Sequence, residues 1–545
     1  MPVSSATLTE RKQNGAYYTD EAVARFLVRW ALPSLAASAL DPSCGDGVFL
    51  REAIREARCS RVLGIDIAAS AVATARASLA GAPAEVLLSD FFELAADDVG
   101  EFDAVVGNPP FVRFHRFAGS ARERALLAAQ SAGVRLSALS SAWAPFLVHA
   151  VGFVKRGGRL AMVAPAELLH AAYARPVLAH LYRSFAQVAI ITFGRRLFTD
   201  LSQDTVLLLC AGRGQKSSRL ALLDLADQWQ LETLLDVDPD LSAARRLRAV
   251  PLLEGRERAL EYLLPEAPRR LYRRLRDSTA SARLGDWATV GIGYVTGNNG
   301  YFHLSRQQIA DHHLGADFVI PALRRADELK GLIYSEADWS TAAAAGSETY
   351  VVHLPSDPED LSESAQAYIA LGERQGVHLA YKCRVRKPWY VVPGLRTPDA
   401  FLTYMIHVSP RLVVNQAGAV APNSLLVAHR KAGVPSLEYM CLALMTSLGR
   451  LSVELEGHSL GGGLLKLEPG EAARVVLPSC AEGAAQRRVE GVFDEVDALV
   501  REGRHDEAQN RADVVVLQQG LGLSQRECAT LKMGWVKLQN RRLNR

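Results

Sequence analysis

Residues 106–111 read VGNPPF. An asparagine followed by two prolines and an aromatic suits one kind of chemistry. Proline has no backbone N–H and a fixed φ, so Pro109 and Pro110 stiffen the turn and hold the Pro109 carbonyl outward. Asn108 adds a side-chain carbonyl acceptor beside it. Two acceptors fixed side by side suit an NH₂ group, which has two hydrogens to donate. Accepting from both localises the nitrogen lone pair for attack on a methyl group. No strong base is needed, because the proton can leave after transfer. Phe111 offers a flat face for stacking a planar ring. Taken alone, the quartet also reads as a rigid loop with a buried phenylalanine.

Three acidic positions upstream narrow the choice. Asp41-Pro42-Ser43-Cys44-Gly45-Asp46-Gly47 has glycines that let backbone approach a ligand, ahead of a helix N-terminus with free N–H groups. Gly64-Ile65-Asp66-Ile67 ends the next strand with an acid able to accept from two ribose hydroxyls. Ser89-Asp90-Phe91-Phe92 ends the third, where Asp90 can accept from an adenine 6-amino group with Phe91 against the ring. Each aspartate alone would also serve as a turn or helix cap. The carboxyl ends of successive strands, however, form the ligand-binding edge of an open α/β sheet, and agreement across levels favours a site. The chain lacks the GxGxxG phosphate fingerprint, and acids beside the glycines would repel a pyrophosphate. A nucleoside with a positive centre fits better, and S-adenosylmethionine has that shape.

The elements that must position these residues alternate from about 15 to 212. Helical spacing covers 21–35, 48–57 and 68–80. Strand patterns cover 61–67, 84–90, 102–108, 159–165, 187–193 and 204–212. Alternation at this spacing predicts α/β architecture with a doubly wound, mostly parallel sheet. The low-charge stretch 141–154 reads as a buried helix. Beyond about 235 the pattern breaks into an arginine-rich stretch (245–283), then short strands and glycine turns, and then a helical tail. The expected organisation is a catalytic domain over 1–240, a mixed α+β second domain over 241–483 and a helical subdomain over 484–545.

Bulk properties fit a globular protein: 545 residues, 49% hydrophobic, 22% charged, net charge +3. Mild basicity does not by itself select a nucleic-acid partner. The seven cysteines form no CxxC pair or Cys/His cluster, which implies free thiols, a reducing compartment and no metal site. No apolar run approaches the length of a membrane span, and the first residues lack the apolar core of a signal peptide, so a cytoplasmic location is expected.

The order of these motifs resembles the gamma group of adenine-specific DNA amino-methyltransferases. Gly15-Ala16-Tyr17-Tyr18-Thr19 matches the group's G-x-Y/F-x-T segment, DPSCGDGVFL its glycine loop, and NPPF its catalytic motif with phenylalanine for the common tyrosine. The resemblance covers the first 210 residues, and more loosely the rest. It implies an S-adenosylmethionine fold of class I with a C-terminal target-recognition domain. It implies that Tyr17, Thr19, Asp41, Ser43, Gly45, Asp66, Ile67, Asp90, Phe91 and Asn108 line the cofactor. Asn108 and Pro109, stiffened by Pro110, would hold the target amine. Phe111 and Phe198 would stack on an adenine turned out of double-stranded DNA. In the second half, Thr296, Asn298 and Asn299 follow a TG-N pattern. Lys382, Arg384, Arg386, Lys387 and Trp389 mix charge with aromaticity, and Gly461 and Gly462 precede Lys466. These would contact DNA, although a solvated face is the ordinary reading of any one cation. The resemblance further implies a monomer that forms no stable complex with a separate restriction endonuclease. The first motif begins near residue 12, which leaves no room for the nuclease that fused members carry ahead of it. Host protection, an orphan epigenetic role and a phage-defence role all stay open. Three rivals remain at this point. Two are an RNA and a protein-glutamine amino-methyltransferase, and the third is a DNA-specificity protein with an inactive methyltransferase-like half.

Overall fold

A computed structural model describes residues 19–34, 37–57, 59–112, 117–137, 140–198, 204–480 and 483–543. The chain forms two compact units, one of residues 1–263 and one of 264–459 with 463–543, residues 460–462 grouping with the first.

The first unit opens with α1 (Glu21–Ala31), capped by Asp20, whose side chain accepts from the Ala22 N–H at 2.9 Å. Strand β1 (Ser38–Asp41) is buried throughout and leads through the glycine turn into α2 (Val48–Ala57). Then come β2 (Arg61–Asp66), α3 (Ala69–Ser78), β3 (Ala84–Leu88) and β4 (Phe102–Gly107). Helices α4 (Gly119–Ser131) and α5 (Trp143–Ala150) precede β5 (Val154–Pro165). α6 (Arg175–Ser184), β6 (Phe185–Phe193), β7 (Thr205–Arg213), β8 (Arg219–Leu225) and β9 (Arg245–Arg248) complete the unit. α5 is the buried helix expected at 141–154, and His149 is its one residue not fully buried.

The sheet order is β3-β2-β1-β4-β5-β7-β6-β8-β9. The chain winds outward from β1 to β3, then returns to β4 on the other side of β1. The winding direction therefore reverses between β1 and β4, and a crevice opens there at the carboxyl ends of the strands. Strands β1 to β5 pair in parallel. β7 runs antiparallel to both β5 and β6. Residues 194–204, which join β6 to β7, are too few for the crossover helix that a parallel pair requires.

Two features depart from the expected organisation. β9 pairs antiparallel with β8, so the large sheet continues past residue 240. The helical tail is part of the second unit's core: Phe493, Val496, Val500, Ala508 and Val515 pack in one cluster with Trp287, Leu426 and Tyr439. The buried Arg542 also donates to Glu454 at 2.6 Å. This second unit holds a five-stranded sheet in the order 288–292, 426–430, 400–402, 412–415, 333–334, and a smaller one from 303–304, 350–352 and 319–321.

Candidate active site

The switch point collects the residues singled out by their chemistry. Asp41 ends β1 with 0% exposure, and its Oδ1 accepts from the Ser43 N–H at 3.1 Å. Its Oδ2 is buried and has no hydrogen-bond partner among the described residues. Burial pushes the Asp41 carboxyl well above the usual carboxylate range. The Ser43 N–H opposes this, while Asp66 and Asp46 add to it. The buried oxygen is without a partner, and a positive charge beside it would draw the carboxyl back toward its ionised form.

Gly45 turns the loop at φ +54°, and a Cβ there would meet nothing within 4 Å. Its N–H donates to Asp66 Oδ2 at 2.9 Å, and Asp66 Oδ1 accepts from the Ala68 N–H at 2.8 Å. The carboxylate is thus fixed in place at the end of β2, with lone pairs remaining on both oxygens. Beside it Ile67 is 68% exposed, an apolar surface at the mouth of the crevice.

Asn108 lies just beyond β4, across the switch point from Asp41. Ser43 Oγ donates to the Asn108 backbone carbonyl at 3.1 Å, tying the glycine loop to the NPPF turn. The Asn108 amide Nδ2 donates to Thr19 Oγ1 at 3.2 Å. Its Oδ1 is buried and has no partner among the described residues. The preceding Gly107 is required by packing, since a Cβ there would sit 2.7 Å from Asp41 Oδ1. Pro109 is buried and Phe111 is 8% exposed. The Val112 carbonyl accepts from the Ala142 N–H at 3.0 Å, anchoring the turn at the start of α5. Phe198, after β6, is half-buried. Tyr17 lies outside the described residues.

At the end of β3 the singled-out residues already have protein partners. Asp90 Oδ1 caps its own turn by accepting from the Phe92 N–H at 3.0 Å. Oδ2 accepts twice from Arg124, at 2.8 and 3.2 Å. Phe91 is 4% exposed, its ring centre 4.9 Å from those of Phe146 and Phe153 and 4.7 Å from that of His149. It is a core residue, and the neighbouring Phe92 keeps partial exposure. His149 Nε2 lies 3.1 Å from the Phe91 carbonyl and 3.0 Å from that of Leu94, bracing the same turn. Arg124 escaped the sequence reading because it is 34 residues from its partner, on a helix that nothing in its composition singles out. Gly107 had a readable signal, a glycine closing a strand directly after Val105 and Val106.

In the second unit most of the candidate DNA contacts are engaged internally. Thr296 is buried and donates to Asn299 Oδ1 at 2.5 Å, while Asn298 caps a short helix by accepting from the Tyr301 N–H at 3.2 Å. Arg386 donates to the Thr296 carbonyl at 2.8 Å and also to that of Val295, so its guanidinium braces the loop instead of facing solvent. Trp389 packs against Tyr301, ring centres 5.6 Å apart. Lys466 pairs with Glu468 at 2.5 Å and lies over the Tyr404 ring. Gly461 and Gly462, which group with the first unit, lie in a tight turn, Gly462 at φ +74°. Asn299, Lys382, Arg384 and Lys387 remain exposed.

The reversal between β1 and β4, the antiparallel β7 and the acids at strand ends define a class I S-adenosylmethionine-dependent methyltransferase. Its residues fit that cofactor. The unpartnered Asp41 oxygen suits a cationic methionine amino group, the fixed Asp66 carboxylate a ribose, and exposed Ile67 an adenine face. Residues 3–233 match the model of the N-6 DNA Methylase family, and residues 256–517 match the C-terminal domain of the type II methyltransferase M.Eco57I. In both parts the chain is thus similar to DNA methyltransferases of type II restriction-modification systems, and the matched families support S-adenosylmethionine as the cofactor.

The chain is 24% identical over 482 residues to type II methyltransferase M.XamI of Xanthomonas campestris pv. amaranthicola, covering 85% of each chain. Among solved structures it resembles the type IIG restriction endonuclease BpuSI (TM-score 0.45, 15% identity, 98% of this chain and 67% of that one). It also resembles the DrdV–DNA complex (TM-score 0.49, 12% identity, 90% and 58%). Among the described residues no helix is long and apolar enough to cross a membrane.

Proposed function

We propose that the chain methylates the 6-amino group of an adenine rotated out of double-stranded DNA. Asn108 carries this reading. Its amide nitrogen is spent on Thr19, and its carbonyl oxygen is buried and unpartnered among the described residues. A buried acceptor without a donor is costly, and an incoming amine removes the cost. Beside it the Pro109 carbonyl takes the amine's second hydrogen, so the nitrogen lone pair is directed at its electrophile. When bound, S-adenosylmethionine supplies a methyl group made electrophilic by its sulfonium.

In this reading Asp41 holds the cofactor's amino group, with Ser43 and Gly45 shaping the loop around it. Asp66 holds the ribose and Ile67 covers the adenine. Asp90, with its carboxylate set by Arg124, accepts from the cofactor's own 6-amino group. Thr19 serves the cofactor's methionine end as well as the Asn108 amide. Phe111 and Phe198 stack on the target base. Extrusion of a paired base costs a few kcal/mol, and stacking returns about 1–3 kcal/mol per base by analogy with single-strand binders. The first unit carries the chemistry and the second selects the site, with exposed Asn299, Lys382, Arg384 and Lys387 on DNA. Host protection beside a separate endonuclease is the biological role that follows, in the cytoplasm where that DNA lies.

The test uses purified protein, methyl-labelled S-adenosylmethionine and unmethylated plasmid. Labelled 6-methyladenine in the digested product is expected. Label appearing only in RNA, only in protein or only on cytosine would overturn the substrate assignment. Cofactor binding with no transfer to any of these would instead favour an inactive methyltransferase-like half.

A further inference from the structure

The segment 377–387 of the second unit forms a rigid knuckle. A 3₁₀ turn, Val377–Leu379, runs into a single helical turn, Tyr381–Arg384. The inner side of this knuckle is closely anchored. Val377 and Cys383 are buried, and Cys383 Sγ lies 3.6 Å from the Thr296 carbonyl that Arg386 also holds. Gly297, at φ +88°, sits so near that a Cβ would come within 2.9 Å of Lys382 Cβ and 3.0 Å of Cys383 Sγ.

The outer side is the reverse. Leu379 is 65% exposed, Tyr381 66% and Val385 63%. Lys382 and Arg384 are exposed between them, with Lys382 Nζ 5.6 Å and the Arg384 guanidinium 5.9 Å from the Tyr381 ring centre. A single exposed apolar side chain is ordinary, but several held outward together on a braced turn mark a contact surface. Cations interleaved with those side chains select the partner. It must be polyanionic and must also offer apolar faces, which describes duplex DNA: phosphates outside and stacked bases within.

We propose that this knuckle is a wedge that enters the base stack of the target duplex. Tyr381, flanked by Leu379 and Val385, takes the stacking place of a displaced base, while Lys382 and Arg384 hold the adjoining phosphates. The proposal rests on the DNA-methyltransferase reading above and gives the second unit a part in opening the duplex as well as in choosing the site. Bracing by Arg386 and Cys383 is what a wedge requires, since a mobile tip would yield before the stack did.

The experiment compares wild type, Tyr381→Ala and the double variant Leu379→Ser/Val385→Ser. Two duplexes carry the mapped site, one fully paired and one with an abasic position opposite the target base. On the paired duplex Tyr381→Ala should lower kcat/KM about tenfold, the loss of one stacking contact, and the double variant should also fall. On the abasic duplex, where extrusion is easy, both should return to near the wild-type value. Equal losses on the two duplexes would mean ordinary DNA contact and would overturn the wedge, as would no loss on either. Failure of wild type itself to methylate either duplex would instead overturn the DNA reading.

Discussion

At the carboxyl edge of the first unit's sheet, key polar side chains stop one bond short of satisfaction; in the loops of the second unit, comparable side chains have completed theirs. Asp41 uses Oδ1 on the Ser43 N–H and leaves Oδ2 buried, and Asn108 uses Nδ2 on Thr19 and leaves Oδ1 buried. Arg386, by contrast, donates to two backbone carbonyls, Lys466 closes on Glu468, and Asn298 caps a helix. The residue types in both regions suit ligand contact. What separates them is unspent hydrogen-bonding capacity in a setting that already fixes its direction, because such capacity is costly to bury unless a ligand uses it.

Replacing Asn108 with alanine should break the first side of that contrast most completely. Methyl transfer should fall about a hundredfold or more, the scale seen when one preorganised polar group is removed from a site of developing charge. Binding of S-adenosylmethionine, measured by calorimetry, should persist. An Asn108→Ala protein that keeps its transfer rate would remove the residue from the chemistry.

Gly107→Ala comes next. The new Cβ would sit 2.7 Å from Asp41 Oδ1, so the carboxylate must move from the position that Ser43 sets. Cofactor affinity should weaken about tenfold, the equivalent of one hydrogen bond to a charged group. An unchanged dissociation constant would mean that Asp41 is not aimed at the cofactor.

Thr19→Val sharpens the contrast, since it leaves Asn108 in place and removes only the partner that orients it. Without the Thr19 oxygen the amide can turn over and present its NH₂ to the target amine. Expected is a fall in kcat of about fivefold, near the 1 kcal/mol of a single hydrogen bond, with Thr19→Ser restoring it. A loss confined to cofactor affinity would place Thr19 on the cofactor alone.

The legibility of the two regions follows the same division. Asp41, Asp66, Asp90 and NPPF could be read because strand alternation fixes where a strand ends, and in an open α/β sheet that is where ligands lie. Links across long separations could not: Thr19 to Asn108, Arg124 to Asp90, and the reversed β7 depend on how the sheet winds, which composition does not encode. Phe91 shows the same limit, since an aromatic after a strand end is equally suited to core and to cleft, and its packing on Phe146, His149 and Phe153 is not legible in the chain. In the second unit the strands are two to five residues long, too short for periodicity to assign faces. There a basic residue's type was visible and its partner was not, which is why Arg386 and Lys382 looked alike.

Those two residues supply the finest test, where the expected effects are smallest. Arg386→Met strands the Val295 carbonyl and leaves that of Thr296 only the weak Cys383 thiol donor. It should cost about 1–3 kcal/mol of stability, the penalty for unsatisfied buried acceptors, visible as a lower Tm. Lys382→Met removes an exposed cation that holds no backbone and should leave Tm unchanged. It should instead reduce the dependence of log Kd on log salt by about one, the signature of a lost phosphate contact, and do so equally for all DNA sequences. The pair therefore exchanges readouts: one variant alters folding and the other alters counterion release. Should Arg386→Met keep its Tm and lose the salt slope instead, internal bonding in the second unit would not mark structural residues. The contrast with the strand-end cleft would then fail at its weaker side first.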